Sequence, residues 1–167
     1  AGRYTSQPGR TSLIEGISRP VIIVDSYYAT PVATEGALDA LSHIPRRGRR
    51  IAVLADMLEL GSFSASEHRR IGTLVPTSAD LLITVGVRAK GIAEGARDAD
   101  MSPDSVFEYE RGADAVSYLT LVAGEGDVLL VKGSQSMRME KVTKALMRHP
   151  ERAKELLPRQ DEDWLSR

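Results

Sequence analysis

Short runs of apolar residues recur along the chain and alternate with stretches whose apolar residues have helical spacing. The runs are continuous and end at polar or turn-forming residues, which is typical of strands buried on both faces of a parallel sheet. They predict strands at residues 21–24, 51–54, 81–85, 106–109 and 127–131. The amphipathic stretches predict helices from Pro31 onward and over residues 64–74, 89–96, 113–122 and 137–147.

Strands that alternate with helices predict an α/β fold. We expect a Rossmann-like three-layer domain with a mostly parallel sheet of about six strands and helices on both faces. The domain is expected to span residues 20–157. Residues 1–19 are rich in Gly, Ser, Thr and Arg and are predicted to be a linker, and residues 158–167 are predicted to be a polar tail. The first residue is Ala1 rather than Met, from which we expect a piece of a longer chain, although removal of an initiator Met before Ala would give the same start.

Composition narrows the function. Hydrophobic residues make up 42% and charged residues 27% of the 167 residues, as in ordinary globular domains. The sequence has no cysteine, which excludes thiol catalysis, disulfides and cysteine-based zinc sites and fits a reducing cytoplasm. A net charge of −1 favours neither nucleic acid nor an anionic membrane as partner. The longest apolar runs are far shorter than the roughly 20 residues of a membrane span.

Polar residues follow directly on the predicted strands. Parallel strands bring their carboxyl ends to one edge of the sheet, so these side chains are expected to lie close together. Lys132 and Ser134 combine a cation and a hydroxyl before a helix, which suits a carboxylate or phosphate but also occurs at ordinary helix starts. Asp25 can position a ribose or an amine, or cap the next helix. Asp56 and Glu59 can bind an ammonium group or a metal, or stay solvated.

Other motifs are less informative. His68 lies in an amphipathic stretch, where a surface or packing role is expected. The sequence contains no Gly-x-x-x-x-Gly-Lys-Ser/Thr phosphate loop and no Gly-x-Gly-x-x-Gly turn between a strand and a helix. The α/β pattern by itself therefore indicates neither an ATP-hydrolysing nor a dinucleotide-binding domain.

Four segments, in the same order, resemble the C-terminal domain of the Mur ligase family. They are residues 8–10 (Pro-Gly-Arg), 24–31 (Val-Asp-Ser-Tyr-Tyr-Ala-Thr-Pro), 50–61 (Arg-Ile-Ala-Val-Leu-Ala-Asp-Met-Leu-Glu-Leu-Gly) and 130–140 (Leu-Val-Lys-Gly-Ser-Gln-Ser-Met-Arg-Met-Glu). His68 follows the third segment at the distance seen in the family. Within the family, the resemblance is strongest to members that add D-alanyl-D-alanine to UDP-N-acetylmuramoyl-tripeptide in peptidoglycan synthesis.

The resemblance implies a mechanism. The full enzyme uses ATP and Mg²⁺ to phosphorylate the carboxylate of a UDP-MurNAc-peptide, and the amine of D-Ala-D-Ala then displaces phosphate. The phosphate loop and the metal ligands of the family lie in a central ATP-binding domain, from which residues 1–19 would lead. This domain alone would hold no catalytic residue, no metal and no cofactor, and would be inactive.

The resemblance also implies roles for residues in this sequence. Arg10 and Asp25 would bind the nucleotide, at its phosphates and its ribose. Lys132 and Ser134 would hold the carboxylate of the incoming amino compound, with Thr30 nearby. Asp56 and Glu59 are expected to complete this substrate-binding site.

Some positions depart from the family pattern. Val24 and Ala55 replace an Asp and a Gly, and Tyr28 and Thr30 replace two Asn residues, which leaves the amino substrate open. Two alternatives stand beside the main interpretation. One is a related ligase of the folylpolyglutamate or cyanophycin type, and the other is a Rossmann-like binding module without catalysis.

Overall fold

The computed structural model describes residues 12–25, 28–45 and 47–167. Strands β1 to β6 comprise Ser12–Glu15, Val21–Val24, Arg50–Ala55, Leu81–Val85, Val106–Tyr109 and Val128–Lys132. Helices α1 to α7 comprise Pro31–His43, Ser64–Leu74, Lys90–Asp98, Gly112–Val122, Met139–Leu146, Ala153–Leu156 and Glu162–Leu165. The predicted alternation of strands and helices is confirmed.

One six-stranded sheet runs through the domain in the order β1-β2-β6-β3-β4-β5. All neighbouring strands are parallel except β1, which pairs antiparallel with β2. The last strand in sequence, β6, is inserted between β2 and β3. This places the carboxyl ends of β2, β6 and β3 side by side, and these are the strands that the candidate polar residues follow.

Helices cover both faces of the sheet, which confirms the three-layer prediction. Successive strand residues point to opposite faces. In β3, Ala52 and Leu54 pack in a core with α1, α2 and α3, while Ile51 and Val53 pack in a second core with α4 and α5. Because both sets are buried, the strands appear in the sequence as continuous apolar runs.

Strand β1 was not predicted, and residues 12–15 are therefore part of the sheet rather than linker. Leu13 is 67% exposed whereas Ile14 is 5% exposed, so only one face of this edge strand is buried. Its short apolar stretch is too brief to stand out from the polar residues around it. Residues 1–11 lie outside the described part of the chain.

The helices follow the predicted spacing, with differences at their starts. Thr30 caps α1, and its Oγ1 accepts a hydrogen bond of 3.1 Å from the Ala33 N–H. Helix α5 begins at Met139 rather than at residue 137, after a 3₁₀ turn, Gln135–Met137. Within the described ranges, none of the helices combines the length and apolar character that crossing a bilayer requires.

Candidate substrate-binding site

The carboxyl ends of β2, β6 and β3 bring most of the predicted site residues together, as the sequence indicates. Lys132 Nζ lies 3.0 Å from Asp25 Oδ2, across the β2–β6 pairing. The Ser134 N–H donates to the Asp56 carbonyl over 3.0 Å, which joins the segments after β6 and β3. The three segments therefore form one connected structure at this edge of the sheet.

Lys132 is buried, contrary to the open position that its predicted role requires. Its side chain is 1% exposed, and its ammonium donates to the carbonyl oxygens of Asp25 and Tyr28 in addition to the Asp25 carboxylate. Burial lowers the pKa of Lys132 and raises that of Asp25, and their mutual attraction only partly offsets this. Lys132 thus holds the backbone carbonyls of Asp25 and Tyr28, and its side chain is almost inaccessible to solvent.

Asp56 also has a partner inside the fold. Asp56 is 4% exposed, and its Oδ1 accepts a hydrogen bond of 2.7 Å from the Ala89 N–H. Gly86 has φ +112°, and a Cβ at that position would lie 2.4 Å from Asp56 Oδ1. Asp56 therefore organises the turn between β4 and α3 and does not face the candidate pocket.

The loop after β3, residues 56–60, is held by two further hydrogen bonds. The buried His68 accepts the Met57 N–H at Nε2 over 3.0 Å, and its Nδ1 lies 2.7 Å from the Ser64 carbonyl, which assigns the proton to Nδ1. The Leu58 N–H donates to Ser134 Oγ over 2.8 Å. His68 thus positions the loop after β3. This agrees with the packing role that was one of the two expected from the sequence.

The fixed loop presents Glu59 to solvent. Glu59 has φ +63°, a left-handed conformation that is uncommon for residues other than glycine. Non-glycine residues in this region often mark functional sites, where the surrounding structure maintains the strain. The hydrogen bonds at Met57 and Leu58 supply that constraint.

A cavity of about 520 Å³ opens beside this loop. Three of the predicted site residues line it, namely Thr30, Glu59 and Ser134. The oxygens of Thr30 and Ser134 each accept a backbone N–H, so their hydroxyl hydrogens can donate to a ligand. The cavity therefore offers a carboxylate and two hydroxyl donors at the carboxyl edge of the sheet.

Sequence reasoning missed part of the lining of this cavity. Trp164 and Arg167 line it, although residues 158–167 were predicted to be a polar tail. The signal for this part of the lining is the only tryptophan of the sequence, three residues after Asp161, which caps α7. Arg10, predicted to bind the nucleotide, lies outside the described residues.

The described residues contain no cluster of side chains that could bind a metal ion. Among residues 12–25, 28–45 and 47–167 there is no group of three or more His, Cys, Asp or Glu side chains that could hold an ion. The two carboxylates that follow β3 have separate surroundings, since Asp56 is buried against Ala89 while Glu59 is exposed.

Comparison with known protein families assigns the chain to a family. The family profile described as "Mur ligase, glutamate ligase domain" matches residues 9–135, which is more than half of the chain. The chain belongs to the Mur ligase family. The match includes the segments after β2 and β3 and the Lys-Gly-Ser sequence that ends at Ser134.

Several relatives of the chain share one enzyme name. The chain is 32% identical over 142 residues to the UDP-N-acetylmuramoyl-tripeptide--D-alanyl-D-alanine ligase of Bacillus subtilis, covering 84% of this chain and 31% of the relative. The enzyme of the same name from Mycobacterium leprae is 34% identical over 143 residues, and the match covers 76% of this chain and 27% of that enzyme. The chain thus spans about a third or less of the relatives' length and corresponds to the C-terminal domain of such ligases.

Solved structures support the fold assignment. MurF ligase from Thermotoga maritima in complex with ADP superimposes with a TM-score of 0.69 at 23% identity, covering 90% of this chain and 32% of that one. A MurF from Acinetobacter baumannii gives 0.69 at 25% identity, covering 83% and 30%. A bifunctional folylpolyglutamate synthase/dihydrofolate synthase from Yersinia pestis gives 0.58 at 18% identity, which is a likeness of fold alone.

Proposed function

We propose that the chain is the C-terminal domain of a cytoplasmic, ATP-dependent ligase that adds D-alanyl-D-alanine to UDP-N-acetylmuramoyl-tripeptide in peptidoglycan synthesis. The cavity lined by Thr30, Glu59 and Ser134 carries this proposal, because its polar groups suit an incoming amino compound. Relatives that are 30% or more identical and bear this name favour D-Ala-D-Ala over the glutamate of folylpolyglutamate enzymes. Mg²⁺ and ATP would be held mainly by a central domain.

The dipeptide carries an ammonium group at one end and a carboxylate at the other. Glu59 is the exposed carboxylate of the cavity, and it would hold the ammonium group. The hydroxyl groups of Ser134 and Thr30 would donate to the dipeptide's carboxylate. Lys132 would contribute indirectly, by fixing the segment that carries Thr30, rather than by contacting the dipeptide as the sequence predicts.

A nucleotide also suits this edge of the sheet. The Asp25 side chain keeps 21% of its surface exposed while Lys132 holds Oδ2. A ribose hydroxyl could therefore reach this carboxylate, in the role predicted for Asp25. ATP supplies the phosphoryl group that activates the peptide carboxylate, and this domain would close over it, which brings the amine close to the acyl group and excludes water.

The experiment that tests the proposal is a ligation assay with the full-length enzyme that carries this domain. Product formation should require UDP-N-acetylmuramoyl-tripeptide, ATP and D-Ala-D-Ala together. Ligation of glutamate to a folate, with no use of D-Ala-D-Ala, would refute the proposal in favour of the related ligase.

Residues 1–167 alone are expected to show neither ligase nor ATPase activity. The sequence contains no phosphate loop, the element that cradles the β- and γ-phosphates for transfer in enzymes that have one. Phosphate release with all three substrates should equal that of a mock purification. Turnover well above the mock sample would contradict the assignment of ATP chemistry to another domain.

Glu59→Gln should raise the KM for D-Ala-D-Ala about ten- to a hundred-fold in the full-length ligase, since a charge-assisted hydrogen bond contributes roughly 1.5–3 kcal/mol. The KM for ATP should stay within two-fold, roughly the scatter of such measurements. Glu125→Gln is the matched control, because Glu125 is also exposed but precedes β6, at the opposite edge of the sheet. Equal effects of both substitutions would show that Glu59 does not contact the dipeptide.

A further inference from the structure

The C-terminal segment, residues 158–167, contributes part of the lining of the cavity that Glu59 also lines. Its residues Trp164 and Arg167 line the cavity. The segment lies beyond residues 9–135, the part that matches the family profile. These residues therefore lie outside the matched part of the chain, although Trp164 and Arg167 line the candidate pocket.

The C-terminal segment is attached to the body of the domain by a buried ion pair. Arg159 Nη2 lies 2.7 Å from Glu140 Oε2, and the two residues are 9% and 0% exposed. The other oxygen of Glu140 accepts a hydrogen bond from Arg138 Nε. Because Glu140 belongs to α5, which packs on the sheet, the beginning of the segment has a fixed position.

The indole ring of Trp164 is also held in place. Asp161 caps α7 and accepts the Trp164 N–H over 3.0 Å, which fixes the backbone. Three guanidinium groups surround the ring, those of Arg138, Arg159 and Arg167, at 5.1, 5.9 and 4.9 Å from its centroid. A ring that is already ordered loses little conformational entropy when a ligand packs against it.

We infer that Trp164 is a specificity-determining residue of the pocket and packs against the methyl groups of the incoming dipeptide. The inference rests on the proposed function. Polar groups at Glu59, Thr30 and Ser134 would hold the charged ends of D-Ala-D-Ala, and its two small apolar side chains need an apolar surface. The half-buried indole lines the cavity and provides that surface, and the guanidinium group of Arg167, which also lines the cavity, favours the carboxylate end of the dipeptide.

Steady-state kinetics of the full-length ligase test the inference. Trp164→Ala should raise the KM for D-Ala-D-Ala about ten-fold, as for a well-packed aromatic contact, with kcat and the KM for ATP nearly unchanged. Trp164→Phe should restore most of the affinity, because it keeps an aromatic surface. Leu165→Ala is the matched control, since Leu165 is the neighbouring residue in α7, is 51% exposed and does not line the cavity.

The outcomes separate this inference from the proposed function. A wild-type ligase that uses D-Ala-D-Ala, with an unchanged dipeptide KM in Trp164→Ala, would overturn the inference alone. Equal losses in Trp164→Ala and Leu165→Ala would also overturn it, because they would indicate a general role of α7. A wild-type enzyme that does not use D-Ala-D-Ala would overturn the proposed function and the inference with it.

Discussion

Lys132→Ala is expected to destabilise the chain by about 3–5 kcal/mol, the usual cost of removing one partner of a buried ion pair. The substitution would leave the Asp25 carboxylate without the ammonium group at 3.0 Å and the carbonyls of Asp25 and Tyr28 without that donor. Urea unfolding of residues 1–167 measures the effect. Lys154→Ala is the control, because Lys154 is exposed and its removal should change stability by less than about 0.5 kcal/mol.

The stability that Lys132→Ala loses should depend on pH. Burial already raises the pKa of Asp25 above its ordinary value, and Lys132 opposes that shift, so the variant should have a still higher Asp25 pKa. A neutral Asp25 needs no cationic partner. The difference in unfolding free energy between wild type and Lys132→Ala should therefore be greatest above the Asp25 pKa of the variant and should shrink as the pH falls through that pKa.

Double substitution gives a second measurement. Asp25→Ala combined with Lys132→Ala should cost less than the sum of the two single changes, because each single change already breaks the pair. A different set of results would support the role predicted from the sequence, in which Lys132 binds the substrate directly. If Lys132→Ala left stability unchanged and only raised the KM for the amino substrate, Lys132 would be a direct ligand of its carboxylate.

Lys132 also illustrates what could not be predicted from the sequence. The continuous apolar run before it predicted β6 correctly, because burial on both faces is a local pattern. The surroundings of Lys132 depend instead on the pairing of β2 with β6, whose residues Val24 and Val131 are adjacent in the sheet although far apart in the chain. Strand order is a tertiary property, and it determines whether a lysine after a strand meets solvent or a carboxylate.

Asp56 and Glu59 show the same limit within one loop. Both were predicted to bind substrate, since both follow the same strand. The structure directs Asp56 to Ala89 near the start of α3, and only Glu59 reaches the cavity. Their spacing of three residues cannot distinguish these directions, because the loop that carries Glu59 is held by hydrogen bonds from His68 and Ser134, which are distant in the sequence.

Glu140→Gln should cost about 3 kcal/mol or more at neutral pH, because it removes the buried charge that faces two guanidinium groups. Burial alone would raise the pKa of Glu140, but hydrogen bonds from Arg159, Arg138 and the Glu140 backbone, together with the charge of Arg159, outweigh burial and hold the pKa below its usual value. This stabilisation is therefore present above the unfolded-state pKa of about 4.3 and is lost as the pH falls through the lower folded-state pKa. Wild type and Glu140→Gln should converge in stability under acid.

Trp164 provides a local measurement of the same change, since it is the only tryptophan of the 167 residues. If Glu140 anchors the C-terminal segment, Glu140→Gln should increase quenching of Trp164 fluorescence by acrylamide at urea concentrations far below global unfolding. Glu125→Gln, which removes an exposed carboxylate elsewhere, should leave quenching unchanged. Unaltered quenching and stability in Glu140→Gln would show that the segment is held by its other contacts, and the ion pair would then not be its anchor.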